Sequence, residues 1–100
     1  MSIEQQIIMS LKQVYDPEIP VNVYDLGLIY EIRVDILNKA FITMTLTSPN
    51  CPMVDDLLQD VRDAVSIVPG IKDVDVKLTF DPPWDKDRMS EEALFQLGML

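Results

Sequence analysis

Residues 54–80 read VDDLLQDVRDAVSIVPGIKDVDVKLTF, and within them the spacing of apolar residues changes once. Val54, Leu57, Leu58, Val61, Ala64, Val65 and Val68 recur at helical intervals, opposed by Asp55, Gln59, Asp60, Arg62 and Asp63. This pattern predicts an amphipathic helix with a wide apolar stripe. Pro69-Gly70 stops it, because proline cannot continue the hydrogen-bond ladder and glycine tolerates the left-handed turn that closes a helix. Val74, Val76, Leu78 and Phe80 then alternate with Asp73, Asp75, Lys77 and Thr79, the period-two signature of a strand with one buried face.

Upstream, Leu28, Tyr30, Ile32 and Val34 alternate with Glu31, Arg33 and Asp35, predicting a first strand. Asn38-Lys39 marks a hairpin tip. Ala40, Ile42, Met44 and Leu46 then form the apolar face of a second strand, with Thr43, Thr45 and Thr47 on its solvated side. At the N-terminus, Ser2 and Gln5 have capping-box spacing, and Ile3, Ile7, Leu11 and Val14 share one helical face. Pro17 and Pro20 end that helix and stiffen Asp16-Pro17-Glu18-Ile19-Pro20. After the third strand comes the rigid elbow Asp81-Pro82-Pro83-Trp84. A short helix follows with Ser90 as N-cap and Glu91 and Glu92 in its first turn, ending near Gly98. The order is α-β-β-α-β-α. Three strands with one apolar face each need one layer of helices, so the expected fold is an α+β two-layer sandwich, a three-stranded sheet covered on one face.

At 100 residues the chain is expected to be one domain spanning 1–100. The net charge of −9, from 17 acidic and 8 basic residues, argues against nucleic acid and against an anionic membrane as partners, since both are bound through Lys and Arg. No apolar run reaches the length of a membrane span, and the first residues lack a signal-peptide pattern, so a cytoplasmic location is expected. There is no histidine and one cysteine, Cys51. A Ser-His-Asp or Cys-His pair, a Cys/His zinc site, an internal disulfide and a four-thiolate cluster site are all excluded within one chain.

Chemistry therefore centres on Cys51. With Pro52 in the first helical turn, Cys51 takes the N-cap of the long helix, where unpaired N–H groups and the positive end of the dipole stabilise a thiolate. Asp55 and Asp56, about a turn away, oppose that effect. Beside this stands the plainer reading, a small buried apolar cysteine. Asp16 and Glu18 offer two carboxylates on a stiff loop, for a metal or a partner, against a turn-capping Asp16 and a solvated Glu18. Trp84 either anchors a partner or lids the core.

Asp16-Pro17-Glu18-Ile19, Asp25-Leu26-Gly27-Leu28-Ile29-Tyr30, Thr45-Leu46-Thr47-Ser48-Pro49-Asn50-Cys51-Pro52, Val68-Pro69-Gly70, Asp81-Pro82-Pro83-Trp84 and Met89-Ser90 occur in this order. In these motifs the chain resembles the iron–sulfur cluster assembly-associated family, also called the metal–sulfur cluster biosynthesis family. Lacking the extra C-terminal cysteines of PaaD-like members, it looks closer to the stand-alone SufT-like branch. The resemblance implies a non-enzymatic assembly or maturation factor, a carrier or delivery adaptor. It also implies Cys51 as the ligand of a transient or interface-bound iron–sulfur cluster, Asp16 and Glu18 as weaker metal candidates, and Asp25, Thr47 and Trp84 as binding positions. The implied partners are the iron–sulfur assembly machinery and client apoproteins, with a homodimer as one way for a single cysteine per chain to suffice. Three alternatives accompany it: an interaction module in which Cys51 only packs, a PaaD-like accessory to a multicomponent oxygenase, and a sulfur transferase carrying a Cys51 persulfide.

Overall fold

The capping box at the N-terminus forms as its spacing predicts. The computed structural model describes residues 2–47 and 54–99. Ser2 accepts the backbone N–H of Gln5 at 3.2 Å while the Gln5 side chain accepts the Ser2 N–H at 3.0 Å, starting α1 at Ile3–Leu11. The sheet follows as β1 (Ile29–Val34), β2 (Lys39–Met44) and β3 (Asp73–Leu78), with α2 (Val54–Ser66) between the last two and α3 (Glu91–Gln96) at the end. The expected element order is thus observed, with an additional 3₁₀ turn at Lys86–Arg88.

The strand order is β1-β2-β3; β1 and β2 pair antiparallel and β2 and β3 pair parallel. An antiparallel pair closes through a short hairpin, whereas the parallel pair requires the long crossover that α2 supplies. The hairpin turns on Asp35, whose Oδ1 accepts the N–H groups of Leu37 and Lys39, both at 2.9 Å. Asn38 takes a positive φ of 62°, a conformation asparagine tolerates better than most residues.

One face of the sheet is apolar. Ala40, Ile42 and Met44 of β2 are fully buried, while Ile32, Val34, Val74, Val76 and Leu78 on the flanking strands are half-buried. α2 lays Leu57, Val61 and Val65 onto this layer, and α1 adds Ile7 and Leu11. The opposite face carries Glu31, Arg33, Asp73, Asp75 and Lys77, all exposed. The helices therefore cover one side only, as two-layer α+β packing requires.

Three local expectations are corrected. Thr45 does not face solvent: it is fully buried, because the β2 ladder ends at Met44 and the alternation of faces lapses beyond it. Phe80 does not continue the buried face of β3, which ends at Leu78, and its side chain is 45% exposed. β1 begins at Ile29, one residue later than its alternation suggests, and its pairing with β2 shifts between Ile29 and Glu31, a bulge that period counting alone does not reveal. No helix among the described residues is long and apolar enough to cross a membrane.

Ile42, at the centre of the middle strand, is the natural probe of this core. Ile42→Ala is expected to cost about 2–5 kcal/mol in chemical denaturation, the range for truncating a large buried aliphatic side chain. The exposed Glu31→Gln on the bare face should stay within about 0.5 kcal/mol of the parent.

Candidate functional site: the Asp16 loop and the start of α2

The segment between α1 and β1 is a loop that hydrogen-bonds to itself. Tyr15 and Asn22 form an isolated antiparallel bridge, and Val23 N–H donates to the Val14 carbonyl at 2.8 Å. Inside that bridge the chain turns on Asp16, whose Oδ1 accepts the N–H of Glu18 at 2.8 Å and of Ile19 at 3.1 Å. Aspartate is suited to this because its short carboxylate reaches the backbone two and three residues on. Asp16 is accordingly buried, whereas Glu18 is exposed.

A second closed pair follows. The Asn22 side-chain amide donates to Asp25 Oδ2 at 2.8 Å, and Asn22 Oδ1 accepts the Asp25 N–H at 2.8 Å. Both residues are buried, so each satisfies polar groups that would be costly to leave unpaired. The Asp25 carbonyl accepts the N–H of Ser90 at 2.8 Å, tying this turn to the N-cap of α3.

The C-terminal segment clamps the same loop. Trp84 is half-buried against the core, and its Nε1–H donates to the Leu26 carbonyl at 2.7 Å. The Tyr30 hydroxyl donates to the Pro82 carbonyl at 2.8 Å, and the Arg88 guanidinium lies 4.6 Å from the Tyr30 ring centroid. Gly27, with φ of 80°, faces the Arg88 backbone so closely that a methyl group there would overlap its carbonyl. Of the two roles open to Trp84, the described contacts are those of a lid on the core and a bracket on the loop.

Tyr15, Pro17, Asp56, Leu57 and Asp60 line one small hollow of about 70 Å³. The fold therefore sets the acidic loop against the first turns of α2, the helix that follows Cys51 in sequence. Cys51 itself lies outside the described residues, as does its expected N-cap geometry. Thr47, half-buried, is the last described residue before that stretch. Among the described residues no three His, Cys, Asp or Glu side chains gather in a group that could hold a metal ion. Asp16 and Glu18 thus form no such group with other described residues. Sequence reasoning did not bring Tyr15, Asn22 or Asp60 to this loop; the aromatic residue directly before Asp16 was the available signal.

Residues 4–78 match the family described as iron–sulfur cluster assembly protein. The chain belongs to that family. A protein of Porphyromonas gingivalis named Fe-S protein maturation auxiliary factor is 56% identical over 97 residues, covering 97% of this chain and 92% of that one. The Staphylococcus aureus protein named Fe-S protein maturation auxiliary factor SufT is 38% identical over 86 residues, covering 86% of this chain and 98% of its own length. The crystal structure of a domain of unknown function from Bacillus anthracis superposes with a TM-score of 0.91 at 39% identity, covering 98% of this chain and 93% of that one.

Within this assembly-family chain, Thr45 stands out energetically. Its Oγ1 is buried with no hydrogen-bond partner among the described residues, and an unsatisfied buried hydroxyl costs about 1–3 kcal/mol. Thr45→Val, which keeps the shape and removes the hydroxyl, is expected to leave the unfolding midpoint unchanged or raise it. Trp84→Phe should lower stability by about 1 kcal/mol or more, since it removes a hydrogen bond and part of a half-buried ring.

Proposed function

We propose that this protein is an accessory factor in the maturation of iron–sulfur proteins, and that it handles its cargo through the Cys51 thiolate and hands it to client apoproteins. The observation that carries this reading is near-full-length similarity to proteins named Fe-S protein maturation auxiliary factors, in a chain with a single thiol. That name describes an accessory and not a catalyst, which agrees with a chain that has no histidine to serve as a base. The place of action is the cytoplasm.

One thiolate is a quarter of the protein ligands in a four-cysteine cluster site. The remaining ligands come from elsewhere: a client, an assembly partner, a second copy or external thiols. A cargo held by so few protein ligands is held transiently, which suits transfer over storage. The Asp16 loop lies beside the first turns of α2, the helix that follows Cys51 in sequence, and Asp16 and Glu18 are the carboxylates that would assist the thiolate. A reading as an interaction module has its own support in the hollow shared by Tyr15, Pro17, Asp56, Leu57 and Asp60. There the surface recruits the partner and Cys51 only packs.

The decisive variant is Cys51→Ser. Under the proposed reading, client iron–sulfur enzymes lose activity to the level seen without the protein, while the circular dichroism spectrum and unfolding midpoint stay at parent values. Full client activity with Cys51→Ser, together with a thiol that resists labelling in the native state, selects the interaction module instead. Asp16 is probed by a pair. Asp16→Asn retains an oxygen for the Glu18 and Ile19 N–H groups and should fold as the parent does. Asp16→Ala should lose about 0.5–2 kcal/mol, the scale of a lost side-chain cap on backbone N–H groups. Client activity lost in the stably folded Asp16→Asn would assign the carboxylate a role beyond its loop.

A further inference from the structure

The uncovered face of the sheet carries an ordered pattern of charge. The register places Glu31, Thr43 and Lys77 in one row across the three strands, and Arg33, Phe41 and Asp75 in the next. One edge therefore reads negative then positive, and the other positive then negative. Phe41 is central and half-buried, with the Arg33 guanidinium 4.1 Å from its ring centroid and Lys39 Nζ at 5.3 Å. Among the described residues the ion pair within 4 Å is Lys39–Asp73 at 3.5 Å. Glu31, Arg33, Asp75 and Lys77 lie exposed with no ion pair to any described residue.

We propose that this face pairs with the same face of a second copy of the chain, forming a two-fold symmetric dimer. In a face-to-face contact of this kind the two-fold axis lies in the plane between the sheets. An axis along the strands exchanges the β1 and β3 edges, setting Glu31 over Lys77 of the second copy, Arg33 over its Asp75, and Phe41 over its own counterpart. An axis across the strands exchanges the two rows, setting Glu31 over Arg33 and Asp75 over Lys77. Either operation brings every charge of the four onto one of opposite sign, twice over. Self-complementarity of this kind is what a second copy supplies and an unrelated partner does not.

The face is small. Three strands at about 4.8 Å spacing and six residues at about 3.3 Å rise give roughly 14 by 20 Å. That is well short of the roughly 800 Å² per partner of a standard stable interface, so the dimer is weak and dependent on concentration. The net charge of −9 on each copy opposes association. At physiological ionic strength the Debye length is about 8 Å, which screens the acidic helical layers from each other while leaving the apposed charges in contact. The inference is independent of the Cys51 reading, since mass is measured without any cargo or client.

Sedimentation equilibrium from micromolar to millimolar protein tests it. The wild-type average mass should climb from one chain toward two. Arg33→Glu and Lys77→Glu, both at exposed positions, should each hold the mass at one chain with unchanged circular dichroism. The fourfold variant Glu31→Arg, Arg33→Glu, Asp75→Lys, Lys77→Asp inverts the pattern, which again complements itself but not the parent. It should regain self-association yet form no mixed dimer with differently labelled wild type. A wild type that stays monomeric at millimolar concentration overturns the proposal, as does either single variant dimerising like the parent. Mixed dimers forming as readily as homodimers would overturn it too.

Discussion

The structure depends on β2 being hydrogen-bonded along both edges. Its antiparallel partner arrives through a turn held by one aspartate, and its parallel partner arrives only after α2 has crossed the sheet. Once both ladders are in place, Ala40, Ile42 and Met44 lie at the centre of the apolar face with no exposed surface. α2 lands there because the crossover leaves it no other apolar layer, and α1 fills the space beside it. The hydrophobic term is non-directional. The two different ladders on β2 are what give the core an orientation.

The same arrangement decides where function can sit. The sheet's charged face is bare, and the loops that carry the family motifs belong to the other parts of the molecule. Asp25, Leu26, Gly27 and Tyr30 are bound from outside by Ser90, Trp84, Arg88 and Pro82, so the turn before β1 is fixed by residues more than fifty positions away. Asp16 spends one carboxylate oxygen on its own loop. A rigid acidic loop set against α2 results, stiff enough to present a surface and too sparse in ligands among the described residues to keep a metal.

What the sequence disclosed follows the range of each interaction. The Ser2–Gln5 box, the Ser90 cap, the Pro69-Gly70 stop and the period change near Val68 are local, and each was legible and is present. Family membership was legible for a different reason: six motifs in order constrain more than any one of them. Thr45 was misjudged because strand periodicity holds only while the ladder lasts. Phe80 failed for the same reason one strand later. The Trp84 bond to Leu26 and the meeting of Tyr15 with Asp56 and Asp60 are contacts between distant segments, and no spacing encodes them. Asp16 lay between: its capping of a turn was one of two readings, and the hydrogen bonds realise it.

Trp84 is the single tryptophan of the chain, and its indole sits where the C-terminal segment grips the turn before β1. The protein therefore contains one indole fluorophore, placed at a joint and not in the middle of the core, and excitation near 295 nm selects it over the three tyrosines. Its emission wavelength and quenching report the state of that joint alone, with no background from other indoles. Any partner that loosens or tightens the grip on Leu26 writes its arrival into a single optical signal, readable without a label.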